Sequence, residues 1–237
     1  MGIITVISMA ITVRVTDQNR QLDRTLDFHA HILPGCDHGS DGLETSLRQI
    51  ALAKEAGIKT VCATPHFYPG NESVSTFLSR REETYALLSK HLSEDDPRVE
   101  LGAEVLICDG IERLDGLRGL CREGTGELLL EMPFYAWPEY LWDTIYALAD
   151  VPDISLVIAH ADRYPVENIE RLIQDDINVQ LNADCFRHIL KRKRYMDWIR
   201  CGAVKYLGSD IHGTETGYRD WNYCWKLLDK SFSKQKG

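Results

Sequence analysis

Strand-like runs and helical stretches alternate along most of this 237-residue chain. Residues 154–159 are apolar almost throughout, which is typical of a parallel strand covered on both faces. The alternation therefore predicts an α/β fold built on parallel strands, rather than a sandwich or a helical bundle. Because no linker composition interrupts the pattern, we expect residues 1–237 to form one domain, with residues 1–24 as an N-terminal extension.

Apolar periodicity and turn residues divide the chain into the expected elements. Seven strand-like runs are the first half of residues 27–39 and residues 59–63, 98–107, 126–132, 154–159, 178–182 and 203–207. The helical stretches are residues 43–56, 74–92, 137–149, 166–174, 191–201 and 218–230. Seven strands joined mostly by helices indicate a closed or nearly closed parallel barrel.

Histidines and carboxylates lie at or just after the ends of the strand-like runs. His29 and His31 share one face of the first run, because side chains alternate along a strand. The other residues in such positions are His38, His66, Glu104, Glu131, His160, Asp210 and His212. The carboxyl ends of parallel barrel strands open onto one face, so these scattered residues should converge. A nitrogen and oxygen donor set of this kind suits manganese, iron or zinc.

Each of these residues also has a simpler interpretation. A single strand-end histidine is more often capped or solvated than a ligand, and a salt bridge to arginine would satisfy Glu104 or Glu131. The joint pattern favours metal, since six of the eight histidines lie at such positions. The basic run of residues 191–194 opens a helix and is typical of a solvated face, with docking of an acidic partner as the minority interpretation.

Composition excludes several classes of function. A net charge of −9 argues against binding nucleic acid. Seven scattered cysteines without a Cys-x-x-Cys pair are typical of reduced thiols in a cytoplasmic protein, and no cysteine has the arginine spacing of a cysteine phosphatase loop. No run is long enough to span a membrane. The apolar residues 1–13 lack the basic start of a signal peptide, and we expect an extra strand or residues outside the fold.

Several short motifs carry a resemblance to a known family. They are Asp27-x-His29-x-His31, Pro34-Gly35, Ala63-Thr64-Pro65-His66, Gly102-Ala103-Glu104, Glu131, Ala159-His160 with Arg163-Tyr164, and Gly208-Ser209-Asp210-x-His212. With this set the sequence resembles the PHP (polymerase and histidinol phosphatase) superfamily, and most closely the metal-dependent protein tyrosine phosphatases of bacterial capsule and exopolysaccharide clusters. The match runs in order from about residue 27 to residue 213.

The resemblance implies a distorted (β/α)7 TIM-like barrel, the PHP fold, with three divalent ions, commonly Mn²⁺, with Fe or Zn as alternatives. It implies hydrolysis of phosphotyrosine on the tail of a bacterial tyrosine kinase. Carried over, His29, His31, Glu104 and Asp210 hold one metal. Glu104 bridges to a second metal completed by Glu131 and His160, and His38, His66 and His212 hold the third.

Further residues are carried over from the same resemblance. Arg163 matches an arginine near the substrate phosphate, and Arg219 loosely matches a second one. His38 stands where these phosphatases usually have aspartate, from which we expect an altered metal preference. Asp37 or Asp162 is a candidate to protonate the departing tyrosinate.

Two other functions stay open on the sequence alone. One is a small-molecule phosphatase, for example one acting on histidinol phosphate. The other is a non-catalytic regulator that binds phosphotyrosine tails without cleaving them. The sequence also leaves open whether the barrels assemble into homo-oligomers. An amidohydrolase is less favoured, because no lysine ends a strand to bridge two metals.

Overall fold

The computed structural model describes residues 22–213 and 216–233. Within these ranges the strands are β1 (Leu26–Ala30), β2 (Thr60–Ala63), β3 (His66–Phe67), β4 (Arg98–Leu101), β5 (Glu104–Leu106), β6 (Glu127–Glu131), β7 (Ser155–Ile158), β8 (Asn178–Asn182) and β9 (Val204–Gly208). The helices are α1 (Leu43–Glu55), α2 (Val74–Ser89), α3 (Glu139–Ala149), α4 (Val166–Gln174), α5 (Arg192–Arg200) and α6 (Thr216–Ser233). The six expected helices are all confirmed, and no end is shifted by more than three residues.

All strand pairs are parallel and fall into two sheets. One has the order β1-β2-β4, and the other has the order β3-β5-β6-β7-β8-β9. The expected strand of residues 98–107 is split at Gly102-Ala103, and β3 continues β2 after Thr64-Pro65. Proline lacks an N–H group, so a ladder cannot run unbroken through Pro65. These two breaks transfer the chain from the first sheet to the second.

The two sheets also meet at their other edge. Ala30 at the end of β1 forms a single parallel bridge with Ile211, just beyond β9. The α/β class with parallel strands is therefore confirmed. Among the described residues, however, the strand pairings do not form one continuous ring, because the ladder is interrupted at both places where the sheets meet.

The core has two parts, as expected for strands covered on both faces. The larger cluster lies between strands and helices and includes Leu128 and Leu130 of β6. The smaller cluster takes the alternate side chains, with Leu129 beside Phe28, Cys62 and Val157. It fills the space enclosed by the strands.

A network of ion pairs lies next to this inner cluster, toward the N-terminal ends of the strands. Arg122 bonds Glu100 at 2.7 Å (Nε to Oε2) and Glu127 at 3.1 Å (Nη1 to Oε2). Lys205 Nζ lies 2.7 Å from Glu127 Oε1, and the Tyr206 hydroxyl donates to the same oxygen at 2.6 Å. Each buried carboxylate here is paired with a cation of the chain itself.

Three expectations concern other parts of the chain. The N-terminal extension lies outside the described residues, except for residues 22–24. All seven cysteines are free thiols, and Cys108 and Cys201 are only half-buried. In the part of the chain that is described, none of the helices has the length and apolar character needed to cross a membrane.

Candidate metal centre

A bulge in β1 turns two consecutive side chains to the same side. The register shifts between Asp27 and Ala30, so β1 uses one residue more than β2 over this stretch. Phe28 stacks on Tyr206 at 3.9 Å between ring centroids, and a Cβ at Gly208, on the same face of β9, would lie 2.6 Å from His29 Cβ. Phe28 therefore completes the apolar interior, while His29 and His31 point into the space at the C-terminal ends of the strands.

Glu104, at the start of β5, is the centre of the cluster. Its Oε2 lies 3.2 Å from the Nε2 atoms of both His29 and His31, and 3.0 Å from His66 Nδ1. Its Oε1 accepts a hydrogen bond of 2.8 Å from His160 Nε2. One buried carboxylate thus contacts four histidines from three different segments of the chain.

Asp210 and Glu131 extend the cluster on two sides. Asp210 Oδ1 lies 3.5 Å from His29 Nε2 and 3.4 Å from His31 Nε2. Glu131, at the end of β6, lies 3.8 Å from His160 Nε2 through Oε1 and 4.0 Å from His66 Nδ1 through Oε2. His38 completes the set, with its ring centroid 4.8 Å from those of both His66 and His212. All nine candidate ligands lie together.

Three overlapping groups have donor atoms within 4.8 Å of one another: His29 with His31 and Asp210, His66 with Glu104 and Glu131, and His31 with His66 and His212. The first group agrees with three of the four ligands expected for one metal. The other two differ in detail from the expected sets, since His66 also lies beside Glu104 and Glu131.

The histidine ring nitrogens are arranged so that Nε2 stays available. His31 Nδ1 donates to Asp37 Oδ2 at 2.7 Å, His29 Nδ1 to Gln180 Oε1 at 3.3 Å, and His212 Nδ1 to the Asp210 carbonyl at 2.9 Å. A proton fixed on Nδ1 leaves the Nε2 lone pair free, which is how proteins orient metal-binding imidazoles.

Several buried polar atoms of the cluster have no hydrogen-bond partner among the described residues. They are Glu104 Oε2, His66 Nδ1 and His160 Nδ1. Glu104 Oε2 and His66 Nδ1 are 3.0 Å apart, but their orientation makes no hydrogen bond. Leaving buried polar groups unsatisfied is costly, whereas lone pairs that converge on a common space are what a divalent cation requires. The donor set fits divalent metal ions.

Burial and neighbouring charges shift the pKa values of several cluster residues in opposing directions. Burial raises the pKa of Glu131 to about 7, and the neighbouring charge of Glu104 adds to the effect. Burial alone would lower the pKa of His29, but the charges of Glu104 and Asp210 outweigh it and raise that pKa. Burial lowers the pKa of His212 to about 4. A bound cation would relieve these conflicts, because it favours ionised carboxylates and neutral imidazoles.

The backbone at two ligands is in the left-handed region. His160 has a φ of 29° and Asp210 a φ of 52°. Non-glycine residues adopt such angles at a cost of about 1–3 kcal/mol, and they are concentrated at functional sites. Each angle directs a ligand from the end of its strand into the cluster.

Polar residues of β8 form hydrogen bonds with the ligands, and these residues were not predicted from the sequence. Gln180 Oε1 accepts from the backbone N–H of His160 at 2.7 Å as well as from His29, and its Nε2 donates to Asn182 Oδ1 at 2.9 Å. Asn182 Nδ2 then donates to Asp210 Oδ2 at 2.9 Å. The signal was available, since Gln180 and Asn182 alternate with the apolar Val179 and Leu181 and so share the inner face of the strand.

Asp27 joins β1 to two other segments of the chain and is not part of the ligand cluster. Its carboxylate accepts bonds from the Ser209 N–H at 2.8 Å, the Ser209 hydroxyl at 2.6 Å and the Tyr218 hydroxyl at 2.9 Å. It therefore fastens β1 to the segment just before Asp210 and to α6.

The cluster opens to solvent through a cleft of about 330 Å³. Arg163 lies at this cleft, and its Nη2 donates to Asp210 Oδ2 at 2.6 Å while 40% of the side chain stays exposed. Tyr68 and Phe134 also line the cleft, and they were not predicted from the sequence. Tyr68 stacks on His66 with centroids 5.3 Å apart, and Phe134 on His160 at 6.0 Å. Two aromatic rings thus flank the opening.

Other candidate residues lie elsewhere. Asp37 is behind His31, where it also accepts the backbone N–H groups of His66 at 3.0 Å and Gly39 at 2.9 Å. Burial would raise the pKa of Asp37, but the bonds from His31 and these N–H groups hold it well below its ordinary value. Burial raises the pKa of Asp162 to about 6, and its Oδ1 accepts from the Asn182 N–H at 3.0 Å. The expectation for Arg219 is wrong, because Arg219 is on α6 and borders a separate groove beside α1.

The parallel α/β fold and the buried cluster of histidines and carboxylates at its strand ends define a metal-binding α/β protein. Residues 25–236 match the model of the family of capsular polysaccharide synthesis proteins CpsB/CapC, and the chain belongs to this family. The family expected from the sequence motifs is thereby confirmed.

Individual relatives agree with this assignment. The chain is similar to the tyrosine-protein phosphatase YwqE of Bacillus subtilis (strain 168), with 26% identity over 223 residues, covering 89% of this chain and 86% of the relative. Its fold is similar to a chain from the crystal structures of YwqE from Bacillus subtilis and CpsB from Streptococcus pneumoniae, described as unique metal-dependent tyrosine phosphatases. The TM-score is 0.69 at 22% identity, covering 85% of this chain and 86% of that one.

Proposed function

We propose that the protein is a metal-dependent phosphomonoester hydrolase that removes phosphate from phosphotyrosine in proteins, within polysaccharide biosynthesis. The observation that carries this proposal is the convergence of nine ligand-type side chains beside Arg163 at the mouth of one cleft. The naming of the relative YwqE as a tyrosine-protein phosphatase supports the same activity.

The centre is proposed to hold three divalent ions, with Mn²⁺ as the first candidate and Fe or Zn as alternatives. Its ligands are His29, His31, His38, His66, Glu104, Glu131, His160, Asp210 and His212. When bound, such ions polarise phosphoryl oxygens and make water acidic enough to attack phosphorus near neutral pH. An imidazole at position 38, in place of a carboxylate, shifts the preference toward metals that favour nitrogen ligands.

Arg163 is proposed to bind the substrate phosphate. Its guanidinium is anchored at one end by Asp210, while its exposed part faces the cleft. Five fixed N–H donors suit a phosphate dianion, which accepts charge-assisted hydrogen bonds. The Arg163–Asp210 pair also links the phosphate position to a proposed metal ligand. We expect substitution of Arg163 to raise the KM for the substrate and to change the metal content little.

Asp37 is proposed as a positioning residue instead of an acid. An ionised carboxylate whose oxygens already accept from His31, His66 and Gly39 has no proton to give to a leaving group. Its role is to hold the Nδ1–H tautomer of His31. Asp162 accepts the Asn182 N–H of β8 and does not line the opening. Because the tyrosine hydroxyl has a pKa near 10, tyrosinate departs without strong assistance.

The aromatic walls favour an aryl phosphate over a small polar alcohol phosphate. Tyr68 and Phe134 line the same cleft as the phosphate-binding Arg163. The Phe134 ring is 63% exposed, so one of its faces is free to pack on a substrate ring. Histidinol phosphate would use this surface less completely than a phosphotyrosine side chain.

The remaining features of the proposal concern context. We propose that residues 1–237 form one domain whose strands are arranged as a distorted (β/α)7 barrel, with residues 1–24 as an extension. The substrate is the phosphorylated tail of a bacterial tyrosine kinase, and the protein works in the cytoplasm, where its seven free thiols stay reduced. Assembly into a homo-oligomer is compatible with this arrangement.

The test compares two substrates in the presence of Mn²⁺. Turnover of a phosphotyrosine peptide should exceed that of histidinol phosphate, and Asp210→Asn should abolish both. A reversed preference would favour the small-molecule phosphatase. A phosphopeptide that binds the metal-loaded protein and stays intact would favour the non-catalytic regulator.

A further inference from the structure

A short segment after β8 places two aliphatic side chains in solvent. Leu190 is 99% exposed and Ile189 is 74% exposed, which makes them the most exposed large hydrophobic residues in the described part of the chain. They lie between the 3₁₀ turn Ala183–Arg187 and α5. Water-exposed aliphatic surface of this kind is unfavourable, and in a protruding loop it indicates a partner that covers it.

The same segment concentrates positive charge. Residues 187–194, which we call the basic tip, contain Arg187, Lys191, Arg192, Lys193 and Arg194 and no acidic residue, in a chain of net charge −9. The nearest acidic residues in sequence are Asp184 and Asp197. Anionic surfaces are therefore attracted to this part of the molecule although the whole protein is acidic.

Two of these cations fix the tip, and the two lysines face outward. Arg187 Nε donates to Asp220 Oδ1 at 2.6 Å, and Arg192 donates to the Phe186 carbonyl at 2.8 Å and to the Tyr223 hydroxyl at 2.9 Å. The tip is thereby attached to α6. Lys191 is exposed, and the Lys193 side chain is 88% exposed with only a surface pair to Asp197. Such a pair contributes little and is easily exchanged for another anion.

The chemistry of the tip favours a lipid surface over a protein groove. Ile189 and Leu190 are highly exposed, and they are aliphatic rather than the aromatic anchors typical of protein interfaces. The groove between α4 and α5, which Leu190 borders, carries both signs of charge, since Glu170 and Asp197 line it together with Lys193 and Arg194. It does not select an acidic peptide. Apolar residues flanked by lysine and arginine match the boundary between headgroups and acyl chains.

We propose that the basic tip docks the protein on an anionic lipid bilayer. Ile189 and Leu190 enter the headgroup region, and Lys191, Lys193 and Arg194 contact lipid phosphates. The tip belongs to the loop that follows Asn182, whose side chain bonds Asp210 at 2.9 Å, so it lies at the same end of the sheet as the metal centre. Docking is independent of the proposed hydrolysis, because none of these residues lines the cleft.

The test is co-sedimentation of the full-length protein with two kinds of vesicle. One kind contains equal parts of phosphatidylglycerol and phosphatidylcholine, and the other contains phosphatidylcholine alone. We expect binding to the anionic vesicles that weakens with added salt. Ile189→Ser with Leu190→Ser should weaken it about tenfold, since two aliphatic side chains leave the bilayer. Lys191→Gln with Lys193→Gln and Arg194→Gln should weaken it about a hundredfold, at roughly fivefold for each cation.

Two control variants separate the tip from general surface properties. Leu87→Ser removes an exposed leucine of α2, and Lys90→Gln with Lys226→Gln and Lys230→Gln removes three exposed lysines outside the tip. Both controls should bind like wild type or within about threefold of it. The proposal is overturned if the wild type does not bind anionic vesicles, or if tip and control variants weaken binding equally. It is also overturned if the tip variants abolish self-association in sedimentation velocity while vesicle binding is unchanged, because the tip would then be a protein interface.

Discussion

The two ends of the strand set both bury ionisable side chains, but they treat them in opposite ways. At the N-terminal ends, Glu100 and Glu127 are paired with Arg122 and Lys205 within 3.1 Å. At the C-terminal ends, Asp210 pairs with Arg163, but among the described residues Glu104 and Glu131 have histidines as their only basic partners, and Glu104 Oε2 has no hydrogen bond. One end is neutralised by arginine and lysine of the chain itself. The other has two carboxylates without such a partner, and a buried charge without a partner is strongly unfavourable, so the difference indicates where ions bind.

The largest expected effect comes from Glu104→Gln, which removes the carboxylate that four histidines contact. We expect the metal content to fall and kcat to drop about a thousandfold, the scale of the several kcal/mol that metal ions supply. Glu127→Gln, in the ion-pair network, is the matched control and should keep both metal and activity. Equal metal content in the two variants would show that the two ends do not differ in this way.

Arg122→Met tests the opposite end. Glu100 loses its buried cation and keeps only the exposed Arg98, while Glu127 keeps Lys205 and Tyr206. The free energy of unfolding should fall by about 3 kcal/mol, at the lower end for a broken buried pair. Denaturant unfolding measures this change, and the metal content should stay at the wild-type value. A loss of metal with unchanged stability would contradict the assignment of this network to structure alone.

Gly39→Ala is a milder change at the metal centre. A Cβ at this position would lie 2.0 Å from His31 Cβ and 2.9 Å from the His31 carbonyl oxygen, so His31 must move. We expect metal affinity to weaken about 10–100-fold, as when the support of a ligand is lost. Gly42→Ala is the control, because no atom lies within 4 Å of its added Cβ. Titration of the metal-depleted protein with Mn²⁺ compares the two.

The smallest expected effect is that of Phe134→Ala at the cleft opening. Loss of one ring contact should raise KM for a phosphotyrosine peptide about 2–10-fold, the range of a single aromatic pair. Metal content should not change. Tyr135→Ala removes a neighbouring ring of similar exposure that does not line the cleft, and it serves as the control. An equal rise in KM for both variants would mean that Phe134 has no specific contact with the substrate ring.

The same comparison explains what could be predicted from the sequence. Ligands such as His66 and His160 were identified because strand ends in a parallel fold share one face, a rule that needs no side-chain detail. The bulge in β1 was not foreseeable, because simple alternation allows only one of Phe28 and His29 to face the interior. The Arg122 network was missed because its members come from β4, β6, β9 and the segment before β6, and no local pattern relates these segments.

The other features that were not predicted correctly involve polar residues. The inner face of α1 includes Ser46 and Gln49, and Gln49 Nε2 donates to the His31 carbonyl at 3.2 Å. The apolar Ala51 is exposed instead. Hydrophobic patterns cannot predict a helix that presents hydrogen bonds to a functional site. The expectation for Arg219 was wrong because a match by residue order does not show which face of α6 a residue occupies.

We propose that the C-terminal cluster is a metal centre. Elemental analysis of the purified protein tests this proposal by counting divalent ions per chain. We expect the proposed three ions in wild type and in Glu127→Gln, and fewer in Glu104→Gln. Less than one ion per chain in a fully active wild-type preparation would contradict the claim.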